Sequence, residues 1–178
     1  LGLIAFTLQI YFDFSGYSDI AIGLARMLGF RLRENFNLPY LATSLTDFWR
    51  RWHISLSTWI KEYLYIPLGG NRVSTARSYA NLCICFVLSG LWHGASWNFV
   101  IWGCLHGIAL VFDRAFWLRV QQGLPRRLNI GITFGYVVLT WVFFPCDTLQ
   151  HALGFLGALA GAHLDATNAV VPQTDTLI

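Results

Sequence analysis

From Tyr79 to Phe112 the sequence runs about 34 residues without an Asp, Glu, Lys or Arg, with His93 near its middle. As one straight helix at ~1.5 Å per residue it would span roughly 50 Å, against a hydrocarbon core of ~30 Å. Two full passes would need about 40 residues. The stretch is therefore too long for one pass and too short for two, and the spacing predicts two shortened or tilted helices. The segment Ser89-Gly-Leu-Trp-His-Gly-Ala-Ser96 is the natural place for them to meet. Irregular backbone at membrane depth is tolerated only where protein or a wet cavity surrounds it. The break, with a histidine on it, is thus the first pointer to a site.

Composition agrees with this reading. Hydrophobic residues make up 56% of the chain and charged residues 12%, about half the ~25% usual for soluble domains. Leu1–Ala25 and Leu128–Phe144 are further stretches without Lys, Arg or Glu. The expected fold is all-α: a polytopic integral membrane protein with broken or tilted transmembrane helices. Arginines cluster between Arg26 and Arg77 and again from Arg114 to Arg127. The positive-inside rule puts both stretches on the cytoplasmic side. Basic residues flanked by membrane segments are a poor footprint for nucleic acid. The chain opens on Leu1 within an apolar run, its single Met is Met27, and no signal peptide is visible. The expectation is one membrane domain over 1–178, itself a fragment of a larger chain. Four cysteines, Cys83, Cys85, Cys104 and Cys146, lack metal-finger or C-x-x-C spacing and read as small packing residues.

Along the chain, Leu1–Phe12 reads as a membrane segment, interrupted at Phe12–Tyr17 and resumed over Ser18–Phe30. Ser44-Leu-Thr-Asp47 reads as a capped helix start. The helix is expected to run from Leu45 to about Glu62. Its charges (Asp47, Arg50, Arg51, Lys61) lie among Phe48, Trp49, Trp52 and Trp59. At the bilayer centre a charge costs about 2.5–3.5 kcal/mol on insertion scales, so this helix is expected in the interface or beside a polar funnel. Asp47 is placed to pair with Arg50 or Arg51 at helical spacing. Ile66–Asn71 reads as a turn. Asn129–Phe144 is a tilted pass ended by Pro145. Leu149–Ala162 is another apolar stretch, and the tail after His163 reads as loop.

An ionisable residue inside an apolar span is a functional candidate by default, which singles out His93. A neutral imidazole there can accept a proton, and general-base help is worth about 10²–10⁴-fold. His53 sits among Arg50, Arg51 and Trp52 and either lines the route to His93 or is an interfacial residue. His106 reads as a packing or helix-end residue. Asp13 and Asp19 read as caps of the early break or partners of an arginine elsewhere. Nucleophile-elbow, P-loop, dinucleotide-fold and zinc-protease motifs are all missing from the sequence.

Several ordered motifs carry a family resemblance. They are Gln9–Gly23 (QIYFDFSGYSDIAIG), Glu34–Tyr40 (ENFNLPY), Asp47–Ser57 (DFWRRWHISLS), Tyr65–Arg72 (YIPLGGNR), Gly90–Trp97 (GLWHGASW) and Trp102–Gly107 (WGCLHG). Together they resemble the membrane-bound O-acyltransferase family. The nearest branch is the bacterial alginate O-acetyltransferases, with relatives acting on other polysaccharides or D-alanylating teichoic acid. The resemblance covers about Gln9 to Phe144. One departure is Pro145, where relatives often carry an arginine.

The resemblance implies a tunnel through the membrane, with a cytoplasmic acyl thioester approaching from one side and an extracytoplasmic acceptor from the other. It puts the family's invariant histidine on His93 and its second functional histidine on His53. It implies no bound cofactor and no metal. Acetyl-CoA or another acyl thioester is the donor substrate. The acceptor is an exported polysaccharide or a periplasmic or extracellular acetyltransferase partner. The location is the bacterial inner membrane, crossed several times. Residues expected to touch substrate are Trp92, Asn98, Ser89, Arg50, Arg51 and Trp52, with Trp92, Ser89 or Asn98 as donors to a developing oxyanion. A transporter or channel with a polar broken helix stays open as the alternative. A haem carrier using His93 and His106 is weaker, because no second span offers a matching histidine pair.

Overall fold

The computed structural model describes residues 1–161, and no β-strand occurs among the described residues. Ala162 and the tail after His163 lie outside them.

Helix α1 spans Gly2–Met27 without interruption. This corrects the expected break at Phe12–Tyr17. Asp13, Tyr17 and Asp19 all stand on the exposed face, and Ser15 Oγ donates back to the Phe12 carbonyl (3.4 Å). None of these groups interrupts the backbone hydrogen bonding of α1, and one glycine, Gly16, costs only about 1 kcal/mol. Neither Asp13 nor Asp19 caps a helix end, and neither forms an ion pair among the described residues.

The helix expected from Leu45 to Glu62 is two short helices instead: α2 (Leu45–Phe48) and α3 (Ile54–Ile60), continued by a π-helical turn, Lys61–Tyr65. The start is as expected: Ser44 Oγ accepts from Asp47 N (3.1 Å) and the carboxylate of Asp47 accepts from Thr43 N (3.2 Å). Asp47 pairs with Arg51 at 2.7 Å. The break between α2 and α3 comes from a distant segment. Asn37 N donates to the Arg51 carbonyl (2.9 Å), and Ile54 N donates to the Asn35 carbonyl (3.0 Å). These bonds replace the helical ones, and His53 at the junction adopts φ 45°, ψ 54°. A left-handed non-glycine residue costs about 1–2 kcal/mol and persists only where its surroundings impose it.

The centre of the fold is a hairpin of α4 (Thr75–His93) and α5 (Trp97–Phe112), broken at Gly94–Ser96, within the segment where the break was expected. Small residues let the backbones close up. A Cβ on Gly90 would run into the carbonyl oxygen of Phe99, and one on Gly103 into that of Phe86. Beyond α5 the chain continues helically through a π-turn (Asp113–Trp117) and α6 (Leu118–Val120). Trp97–Gly123 is thereby a 27-residue rod, long and apolar enough to cross a membrane. The rod is anchored just past α5: buried Asp113 accepts from Thr46 N at the start of α2 (2.9 Å), and Arg114 donates to the Tyr65 hydroxyl (3.2 Å). Helix α7 (Arg126–Thr140) ends in a 3-10 turn over Trp141–Phe143, before Pro145. Helix α8 (Leu149–Leu159) follows, capped by Thr148. The core joins α2, α5 and α7 through Phe48, Trp52, Trp102, Trp141 and Val142. Ile66–Asn71 is a turn with Gly69 and Gly70 at positive φ.

Candidate active site at the α4–α5 break

His93 is the last residue of α4. Its half-buried ring lies in an aromatic frame: Trp102 at 5.2 Å, Phe144 at 5.3 Å and Phe99 at 6.1 Å between centroids. Phe99 and Trp102 come from α5 and Phe144 from the end of the α7 turn. Neither ring nitrogen of His93 makes a hydrogen bond among the described residues. Gly94 lets the chain turn, since a Cβ there would lie 2.7 Å from the Phe99 ring. Ser96 then caps α5, its Oγ accepting from Asn98 N (3.3 Å).

His53 approaches from the α2–α3 junction. Trp92 lies between the two histidines, 6.2 Å from His53 and 5.1 Å from His93. Phe14 of α1 meets the His53 ring edge-on at 4.7 Å. His53 Nδ1 faces Asn35 Oδ1 at 3.3 Å. Burial, and secondarily the proximity of His93, lowers the His53 pKa to about 4. Its imidazole is therefore neutral in the cellular pH range. The unfolded chain takes up a proton near pH 6.5 and the folded chain does not. His53 thus costs stability as pH falls from about 6.5 toward 4.

Of the other residues expected at the site, Trp92 is 63% exposed beside both histidines, whereas Ser89 is buried within α4. Asn98 is buried, donates to the Cys146 carbonyl, and leaves its Oδ1 without a partner. By that bond it holds the loop that brings Phe144 against His93. Trp52 is a core residue, stacked on Phe48 at 5.7 Å and against Trp141 at 5.1 Å. Arg51 is engaged by Asp47 and by the Asn37 carbonyl (3.3 Å), and Arg50 is exposed. The structure thus brings His93, His53 and Trp92 together. No hydrogen bond or aromatic contact among the described residues joins Arg50, Arg51 or Trp52 to His93.

His106 has a different character. It is 1% exposed, and both ring nitrogens are occupied. Trp49 Nε1 lies 3.3 Å from Nδ1, and Nε2 lies 3.0 Å from Thr140 Oγ1, which donates to the Val137 carbonyl (2.9 Å). An indole N–H can only donate, so Nδ1 carries the lone pair and Nε2 the proton. The ring is a neutral tie between the α2 region, α5 and α7. His106→Leu is expected to strand the Trp49 N–H and destabilise the protein by about 1–3 kcal/mol. Thermal unfolding and turnover, each normalised to folded protein, check this. Lost turnover at unchanged stability would give His106 a chemical role.

Asn35, Phe14, Trp102 and Phe144 were not legible as neighbours of the two histidines. Asn35 had a weak signal, the Asn-Phe-Asn run between basic and proline-bearing segments.

The model of the MBOAT, membrane-bound O-acyltransferase family matches residues 1–148. This chain is a member of that family. A probable alginate O-acetylase (AlgI) of Pseudomonas aeruginosa is 48% identical over 100% of this chain and 35% of its own length. A peptidoglycan O-acetyltransferase of Helicobacter pylori is 49% identical over 89% of this chain and 31% of its own. A teichoic acid D-alanyltransferase of Bacillus subtilis is 29% identical over 85% and 42%. The chain spans about a third of the length of the AlgI relative. Family membership makes this MBOAT chain part of a membrane protein, and the α4–α5 break with its histidine lies inside the matched region.

Proposed function

We propose that the full protein is an O-acyltransferase that moves an acyl group, acetyl by preference, from a cytoplasmic thioester to hydroxyls of an exported polysaccharide, or to a partner protein that modifies it. The observation that carries this reading is the placement of His93 at the end of α4, at the break before the apolar Trp97–Gly123 rod, half-open and joined through Trp92 to His53.

In this reaction His93 takes the proton of the acceptor hydroxyl as its oxygen attacks the thioester carbonyl carbon. The tetrahedral intermediate collapses, the C–S bond breaks, and the proton passes to the leaving thiolate. The products are an ester and a free thiol, with His93 returned to its starting form. Holding both substrates at one point removes much of the entropic barrier. His53 orients a substrate or supports the site from the side of the α2–α3 junction. The donor is acetyl-CoA or another acyl thioester, acting as substrate with no bound cofactor.

The polytopic reading rests on the family and on the Trp97–Gly123 rod. Exposed Trp59 and Tyr63, stacked at 5.4 Å, support an interfacial position for α3 and the turn after it. The protein is assigned to the bacterial inner membrane, with several passes.

The test uses the full-length protein in vesicles, labelled acetyl-CoA and alginate oligosaccharides. Base-labile label is expected on the sugar, with one free thiol per ester formed. A solute carried across the vesicle wall with no ester formed would overturn the proposal in favour of transport.

A further inference from the structure

The side-chain amide of Asn35 touches both the backbone and the ring of the α2–α3 junction. Its Oδ1 lies 3.1 Å from Ser55 N, 2.9 Å from Ser55 Oγ and 3.3 Å from His53 Nδ1. Its Nδ2 donates to Ser18 Oγ of α1 at 3.3 Å. A backbone N–H can only donate, so the amide atom facing Ser55 N is the oxygen. That oxygen also faces His53 Nδ1, so the hydrogen bond between them requires the proton on Nδ1. Ser55 Oγ, 3.4 Å from Nδ1, is already donating to Asn35 and stands as a second acceptor for the same proton. In a neutral ring the lone pair then falls on Nε2, which makes no hydrogen bond among the described residues. An unconstrained neutral histidine favours the opposite tautomer.

We infer that Asn35 is a positioning residue for His53: its side-chain oxygen holds the imidazole proton on Nδ1 and keeps Nε2 as the free acceptor. The same residue holds the backbone. The Asn35 carbonyl accepts from Ile54 N, across the left-handed His53. One residue therefore fixes where the ring stands, how it is turned and which nitrogen is bare. This is how second neighbours set histidine chemistry in metal and acyl-transfer sites.

The groups around His53 are few. From α1 comes Phe14, from α3 Ser55, and from the end of α4 Trp92 and the titratable His93. Beyond Asn35 a cavity of about 410 Å³ is lined by Asp19, Arg26 and Glu34. These charges are common to wild type and variants, so they cancel in a comparison.

The inference rests on the acyl-transfer reading above, and its test separates the two. Thiol release from acetyl-CoA is followed against pH for the full-length protein in vesicles with alginate oligosaccharides. Asn35→Asp keeps the acceptor oxygen and adds a negative charge at Nδ1. It should move the acidic limb of the profile upward by about 1–3 pH units. Asn35→Ala should lose roughly tenfold or more in rate. Ser18→Ala, which removes only the outer bond of the amide, should leave the limb in place. An Asn35→Asp profile that overlies wild type, or full rate in a folded Asn35→Ala, would overturn the inference. If Asn35→Ala misfolds, the Asn35→Asp profile alone decides. Full rate in His53→Ala would instead remove the reading of His53 on which the inference stands.

Discussion

Replacing His93 with alanine is expected to lower acyl transfer by about 10²–10⁴-fold at unchanged membrane abundance. The ring is half-buried, and no hydrogen bond from it holds the described structure together. What His93 contributes to the fold is aromatic packing against Trp102 and Phe144. His93→Phe keeps much of that packing and removes the nitrogens. The two variants should therefore be equally inactive, with the phenylalanine form the more stable. Ester content of the exported polymer, scored in cells with matched protein levels, provides the check. Wild-type ester content in either variant would remove His93 from the chemistry.

The second large effect belongs to the glycines of the hairpin. Gly90 and Gly103 each face a backbone carbonyl of the opposite helix, Phe99 and Phe86 respectively. A backbone cannot step aside as a side chain can. Even Gly90→Ala or Gly103→Ala must push α4 and α5 apart, at a cost toward or beyond the upper end of the ~1–3 kcal/mol typical of overpacking. Gly107→Ala would come to 3.0 Å from the Cys83 Cα and should cost less. Gly94→Ala meets only the ring of Phe99, which can turn, and should be the mildest for stability. Thermal unfolding of the full-length protein in detergent should rank the four in that order. A Gly103→Ala protein as stable as wild type would mean that the two helices are not packed as described.

The break at His93 was legible because it follows from lengths and charges that any chain must respect. A charge-free stretch of about 34 residues cannot cross a ~30 Å core once and stop. The cap at Ser44 and the turn at Gly69–Gly70 were legible because their causes are local. Two readings failed for opposite reasons. The polar run Phe12–Tyr17 looked like an interruption, but its polar groups face outward and the helix passes through. Leu45–Glu62 looked like one helix, and its local pattern does favour one. Hydrogen bonds from Asn35 and Asn37, far back in sequence, open it at Arg51–Ile54. That opening is what sets His53 at φ 45° beside Trp92. The site therefore combines a locally written half, at His93, with a half written only by tertiary contact, at His53. Gly103 and Gly107 form a small-x-x-x-small pair that local reading could have used to foresee the close hairpin.

In the proposed reaction the two histidines act as one unit across the break. The check is the rate of acyl transfer by full-length wild type, His53→Ala, His93→Ala and the double variant, each corrected for folded protein. Residues that work as a unit are strongly non-additive. The expected result is a double variant no slower than His93→Ala alone. Losses that multiply, with the double variant slower by the product of both single effects, would mean that the two histidines act separately.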